Sequence, residues 1–342
     1  GTATADDTVV EVEITRIGGL DENDDDEKDD GSPKDKDKDE DLPPQLQPDR
    51  WHDAMTFNIE PIVQRNVNDR NPSPSPDGTA LAFRGTRGDI HVMDLETREI
   101  RTLVTGWDAG TRWRWSPDSR YIAYAQSNLN FNQDIFIVPA DGPGGSGGPV
   151  NITRHPDNEA APRWSADGKI LSFISERINE EFDVWAVYLD KDLEALTSQE
   201  LKDYYEEAGK AAKKRKPLKV RAPASGNEDE AEEKPDDDAE ADQDAASSPD
   251  EDALDLDDAW LRLRRITSIS GNETDLEMTP SGEHLIFNAR GDAPGLYSIK
   301  WDGSEQKRLA GNASVQHVSL TGDKIILVTG GRAATIKPTG GM

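Results

Sequence analysis

The chain has no cysteine. That excludes disulfide bridges, thiolate nucleophiles and Cys-ligated zinc, and it fits a reducing compartment, so a cytoplasmic location is the expectation. Long apolar runs are also missing. Nothing approaches the roughly 20 residues that cross a bilayer as a helix, and no charged n-region followed by an apolar stretch opens the chain as an export signal would. The chain starts at Gly1-Thr-Ala-Thr rather than Met and stops at Gly340-Gly-Met342, the ends expected of a fragment or a processed product. Basic residues are scarce beside acidic ones, 39 against 69, and the formal net charge is -30. Nucleic acid needs Lys and Arg to neutralise its phosphates, and anionic lipid attracts the same residues, so neither is an expected partner. The five His residues (His52, His91, His155, His284, His317) share no metal-ligand spacing. No Walker-type or dinucleotide loop is present. Gly144-Gly-Ser-Gly-Gly148 lacks the strand-to-helix setting of a nucleophile elbow. No metal, cofactor or catalytic residue is therefore expected.

What the chain does have is a block that recurs. It reads Pro72-Ser-Pro-Ser-Pro-Asp-Gly-Thr-Ala-Leu-Ala-Phe83, then Trp113-Arg-Trp-Ser-Pro-Asp-Ser-Arg-Tyr-Ile-Ala-Tyr124, then Arg163-Trp-Ser-Ala-Asp-Gly-Lys-Ile-Leu-Ser-Phe173 and Glu277-Met-Thr-Pro-Ser-Gly-Glu-His-Leu-Ile-Phe287. A weaker copy runs from His317 to Leu327. Each carries Pro-Asp-Gly or a variant of it, in which Pro presets the first turn position and Asp-Gly supplies a side-chain cap and a positive φ. A β-rich strand, a polar hairpin, an alternating third strand and a short outer strand follow, as in Asp134-Ile-Phe-Ile-Val and Val150-Asn-Ile-Thr. Four strands per unit, repeated about every 40 to 50 residues, predict an all-β fold, a partial or open β-propeller. Asp77, Asp118 and Asp167 repeat at one turn position and read as turn caps, since no single loop supplies a set of oxygen ligands for calcium. Trp113, Trp115 and Trp164 read as core, whereas Trp107 and Phe131 sit in loops and are placed to contact a partner.

The expected organisation is an N-terminal strand and acidic segment over 1–50, blades over 51–190, an insertion over 191–258 and further blades over 259–342. Asp21 to Pro48 and Asn227 to Asp258 hold too little apolar surface to offset their ordering entropy and are expected to be disordered, as solvated linkers, acidic interaction tails or a cation reservoir. Salt adaptation would favour the same composition. In the insertion, Thr197 followed by Glu200 is a capping box, and a helix from about Ser198 to Lys214 is expected, stopped by Pro217. It either packs on the outside of the array or docks a neighbouring domain.

The blade pattern, with its Trp-Ser-Pro-Asp-Gly turn, Asp-Ile-Phe-Val strand and Leu-Thr outer strand, resembles the repeats of TolB and of tricorn-type serine peptidases. The insertion from Asp192 to Leu218 and the segment from Leu261 to Glu273 resemble parts of bacterial tricorn-like peptidases. The resemblance covers roughly Asn71 to Met342. It implies a non-catalytic region that gates or docks peptides for a PDZ-like module and a serine peptidase domain downstream, with homo-oligomers possible. No position matches the catalytic motifs of that family, so no catalytic residue is carried over. The alternative is a TolB-like propeller that docks protein partners and has no peptidase domain.

The hairpins between second and third strands carry Arg84, Arg87, Asn130, Arg177, Arg290 and Arg332, flanked in the second blade by Asn128 and Asn132. Blade topology puts this class of loop on one face. Guanidinium groups there suit peptide carboxylates, which Arg holds bidentately. The competing reading is local pairing, Arg87 with Asp89 and Arg177 with Asp183.

Overall fold

The computed structural model describes residues 10–15, 56–142, 145, 147–216, 253–311 and 313–340. They fall into two compact units that divide after Pro72. In the first unit, β1 (Val10–Thr15) and β2 (Thr56–Pro61) pair antiparallel, Val10 opposite Pro61 and Thr15 opposite Thr56. The expected disorder of Asp21 to Pro48, and that of Asn227 as far as residue 252, lies outside the described residues.

Five antiparallel sheets follow in chain order. The first is β3 (Asp69–Pro74), β4 (Ala80–Gly85), β5 (Asp89–Asp94) and β6 (Ile100–Val104). The second is β7 (Arg112–Trp115), β8 (Tyr121–Ser127), β9 (Gln133–Pro139) and β10 (Val150–Asn151). The third is β11 (Glu159–Trp164), β12 (Ile170–Ile178), β13 (Glu181–Tyr188) and β14 (Arg264–Arg265). The fourth is β15 (Asn272–Met278), β16 (His284–Arg290), β17 (Gly295–Lys300) and β18 (Lys307–Ala310). The fifth has three strands, β19 (Ala313–Val318), β20 (Ile325–Thr329) and β21 (Arg332–Ile336). Each sheet is a simple up-and-down meander, so hairpins 2–3 and the loops leading to the next sheet share one end.

Alternation explains why the sheets stack. Along β8, Ile122 and Tyr124 join Ala82, Val92, Trp113 and Trp115 between the first and second sheets. Tyr121, Ala123 and Ala125 point the other way and meet Leu171, Phe173 and Val187 of the third. Central strands buried on both faces read as apolar runs. First strands of successive sheets are neighbours: the Trp115 indole donates to Ser73 O at 3.0 Å and that of Trp164 to Arg114 O at 3.2 Å. This tethers each inner strand to the one before it.

The repeated turns hold by one local network. Ala80 N donates to Ser75 Oγ (2.9 Å), Ser75 Oγ to Asp77 Oδ1 (2.5 Å) and Thr79 N to Asp77 Oδ1 (3.1 Å), with Gly78 at φ +73°. Ser165, Asp167 and Gly168 repeat it, with Ile170 N on Ser165 Oγ at 3.0 Å. The Asp side chains are thus spent on turn amides.

Between β13 and β14 lie α1 (Lys191–Glu194) and α2 (Ser198–Lys214). Thr197 and Glu200 form the reciprocal cap. Leu201 and Tyr205 of α2 are buried with Tyr188, Leu285 and Ile299 between the third and fourth sheets, and the Tyr205 ring stacks on Trp301 at 4.8 Å. The apolar face of the helix is therefore occupied by the array itself. The end of the acidic stretch, residues 253–258, departs from the expected disorder. Leu254 and Leu256 pack against the second and third sheets, and Asp255 N donates to Leu189 O at 2.7 Å. Two leucines give this end the apolar area that the rest of the stretch lacks.

Candidate functional site

The hairpin end of the sheets collects the residues singled out from sequence, in two different conditions. Two of the arginines are tied down. Arg84 donates to Ala109 O and lies beside Asp108. Arg177 donates through Nε to Glu159 Oε1 and Ser175 Oγ, both 3.2 Å, and through Nη2 to Thr153 O at 2.8 Å. Its expected pairing with Asp183 does not form, because Asp183 is taken by Arg265 at 2.8 Å. The remaining four are exposed: Arg87 and Asn130 on hairpin tips, Arg290 at the end of β16 and Arg332 at the start of β21. Arg87 makes no ion pair with Asp89, which instead accepts from Thr86 Oγ1 (2.7 Å) and Gly106 N (2.9 Å).

Around Arg87 and Asn130 the surface is apolar. The backbone of Gly106 to Asp108 lies directly against Gly88, and Asp108 Oδ2 accepts from Ser127 N at 3.1 Å. Trp107 therefore stands between the hairpins of the first two sheets, edge-on to Phe131 with ring centroids 5.6 Å apart. The β8–β9 hairpin is preorganised: Asn128 Oδ1 accepts from Asn130 N (2.8 Å) and Asn132 N (3.2 Å), and Asn128 N donates to Asn132 O (2.8 Å). On it, Leu129 is 82% exposed and Phe131 73% exposed. Phe131 has φ +67°, a conformation that bulky side chains rarely take and that costs of the order of 1 kcal/mol. Leu129 was not legible as a contact residue, since one Leu between two Asn carries no periodic signal.

Beneath the hairpins lies a set of buried carboxylates that composition conceals. Between the second and third sheets, Asp134 Oδ1 accepts from Thr153 Oγ1 (2.8 Å) and His155 N (3.1 Å), while Glu159, at 0% exposure, binds Ser175 and Arg177. Between the third and fourth, Val184 N donates to Thr267 Oγ1 (2.8 Å) and Glu273 Oε2 (2.9 Å), Thr267 Oγ1 donates to Glu273 Oε2 (2.5 Å), and Glu273 is also 0% exposed. Burial pushes both glutamates up to about 7, against the pull of Arg177 and Ser175 on Glu159 and of Thr267 on Glu273; nearby Asp183 pushes Glu273 further. The signal that could have found them is their interval before the turn: Glu159 before Ser165 and Glu273 before Thr279, like Asp69 before Ser75. Each is followed two positions on by a residue in the left-handed region, Asn71, Ala161 or Asp275.

The inner strands add a basic patch, Arg112 and Arg114 on β7 and Arg163 on β11, with Arg163 paired to Glu277 of β15 at 2.9 Å. What the arrangement offers is an apolar and cationic rim around rigid sheets.

Among solved structures the chain is similar to the tricorn protease, at 14% identity and TM-score 0.53, over 82% of this chain and 26% of that one. The fold is a β-propeller. A putative TolB from Agrobacterium tumefaciens aligns at 16% identity and TM-score 0.48, over 83% of this chain and 82% of that one. TolB from Acinetobacter baumannii aligns at 11% identity and TM-score 0.44, over 84% and 56%. At these identities the propeller architecture alone is shared ground. No family model and no curated protein sequence matches the chain.

Proposed function

We propose that this propeller is a non-catalytic docking module for extended peptide segments, which it holds on its hairpin face. One observation carries the reading: a rigid hairpin keeps Leu129 and Phe131 in water, the latter at an unfavourable φ, beside Trp107 and the exposed Arg87. Strained, exposed apolar groups on an ordered scaffold are what a partner covers, and an aromatic cluster with an arginine is the usual composition of a binding hot spot. Arg87 and Asn130 would steer carboxylate and backbone groups of the bound segment. The blade motifs and the insertion favour a tricorn-like parent, in which the module gates or docks peptides for a peptidase domain elsewhere. A TolB-like module that docks folded protein partners is the second reading.

The test is fluorescence anisotropy with a labelled, unstructured peptide containing Leu, Phe and Glu. We expect binding without cleavage, weakened about tenfold or more by Leu129→Ser with Phe131→Ser. Equal affinity in that variant, or hydrolysis of the peptide by the chain alone, would overturn the proposal.

A further inference from the structure

The junction between the fourth and fifth sheets breaks the pattern of the other junctions. Asp89, Asp134 and Asp183 occupy one register position on the third strands; its fourth-sheet counterpart, opposite Ala289, is Gly295. A Cβ at Gly295 would lie 2.6 Å from both Ala310 O and Arg308 Nε, so no aspartate fits. The position of the buried glutamates is likewise changed. Glu159 and Glu273 pair across to Ser175 and Ala289, and the matching residue of the fifth sheet, opposite Thr329, is Ala313. The connecting loop is shorter too. β14 ends at Arg265 and β15 begins at Asn272, but β18 ends at Ala310 and β19 begins at Ala313.

Both acids and most of the loop are thus missing, and a cleft of about 580 Å³ stands at this junction. Its charged lining is Arg290, Arg308 and Asp275, joined by Asn288 and Ser314. Arg308 Nη2 is held by Pro294 O at 2.5 Å, and Asn288 Nδ2 bridges Asp275 Oδ2 (3.2 Å) and Ala313 O (3.0 Å). Arg290 is exposed and makes no ion pair among the described residues. The second-to-third and third-to-fourth junctions therefore each hold a buried glutamate from the chain itself, and each pairs a carboxylate with a guanidinium, Glu159 with Arg177 and Asp183 with Arg265. The last has two guanidinium groups and an empty volume of ligand size.

We infer that this cleft binds a carboxylate brought by another molecule, an amino acid or peptide whose acid group takes the place that Glu159 and Glu273 fill within the other junctions. Arg290 and Arg308 hold the carboxylate, since planar guanidinium forks match its two oxygens. Asp275, on the same lining, accepts an amide N–H of the ligand. The site is separate from the Leu129–Phe131 hairpin, and the inference does not rest on that reading.

The experiment is a titration of the whole chain at neutral pH, followed by the side-chain Nε–H resonances of Arg290 and Arg308. The probes are N-acetyl-leucine, N-acetyl-leucinamide, and an N-acetyl-glutamic acid amidated at its α-carboxyl. Both acids should shift the two resonances and the leucinamide should not; the stronger acid tells whether a chain terminus or a side chain is the source. Arg290→Ala with Arg308→Ala should weaken binding by about tenfold or more. Ala313→Glu should do the same by supplying an internal carboxylate while both arginines remain. Leu129→Ser should leave the titration unchanged, so that a failure here is distinct from a failure of the hairpin face. Equal response to leucinamide, no shift of either arginine with the acids, or full affinity in the double variant would overturn the inference.

Discussion

The two complete junctions solve one problem in different ways. Each closes a sheet-to-sheet seam with a glutamate at 0% exposure on the inner strand and a threonine on the loop before it. In the second-to-third seam the glutamate has a cation of its own, Arg177, which also reaches Thr153 O. In the third-to-fourth seam the cation, Arg265, goes to Asp183, and Glu273 is left with a hydroxyl and a backbone amide. A buried carboxylate without its own counter-ion is cheaper to keep neutral than charged. Burial raises both glutamates to about 7; the seams differ in that Glu159 has a guanidinium beside it and Glu273 has only a hydroxyl and an amide.

The largest effect should come from taking away the cation. Arg177→Met leaves Glu159 buried and unpaired, and should cost about 3 kcal/mol in urea denaturation at pH 8. The loss should shrink at pH 5, where Glu159 keeps its proton. A loss that is the same at both pH values would mean that Arg177 acts through packing alone.

Next comes a pair of opposite signs. Glu273→Gln should stabilise by about 1 kcal/mol at pH 8, because a charge with no counter-ion is removed, whereas Glu159→Gln should destabilise by about 1–2 kcal/mol, because Arg177 loses its partner. Both glutamates rise from the ordinary 4.5 to about 7 on folding, so the folded chain holds their protons more tightly than the unfolded one. Their contribution is intact below about 4.5, fades as pH rises, and is gone above about 7. Stability measured across that window should fall less steeply in Glu273→Gln than in the parent chain. An unchanged slope would remove Glu273 from the account.

How much of this was legible beforehand depends on the range of the interactions. The turns were, because Ser75, Asp77 and Gly78 satisfy one another within a few residues. The capped helix was legible for the same reason, through Thr197 and Glu200. The seams were not. Glu159 reads as one more polar loop residue in Asp157-Asn-Glu, and its partners Ser175 and Arg177 belong to the next strand, where only strand register brings them in. The expected ring of arginines failed to predict its own division for that reason: Arg87 and Arg177 look alike in sequence, yet one stands in water and the other crosses a seam.

The smallest effect separates the threonines. Thr153→Val removes an acceptor from the buried Ile135 amide and a donor from Asp134, at about 2 kcal/mol. Thr267→Val leaves the Val184 amide still bound to Glu273, so about 1 kcal/mol is expected. Equal losses would show that the two hydroxyls serve the same role.

The third sheet has a consequence for how such a chain can change over generations. Its outer strand is only Arg264–Arg265, held by the register of Ala186 and Trp185. The polypeptide leaves this sheet after Tyr188 and comes back through those two residues. Few ladder bonds are at risk there, and lengthening an existing excursion costs little entropy, roughly 0.6 kcal/mol per doubling. Acidic sequence can accumulate or erode at this edge while the inner strands keep their alignment, so the charge of the protein and the stability of its scaffold are free to evolve apart.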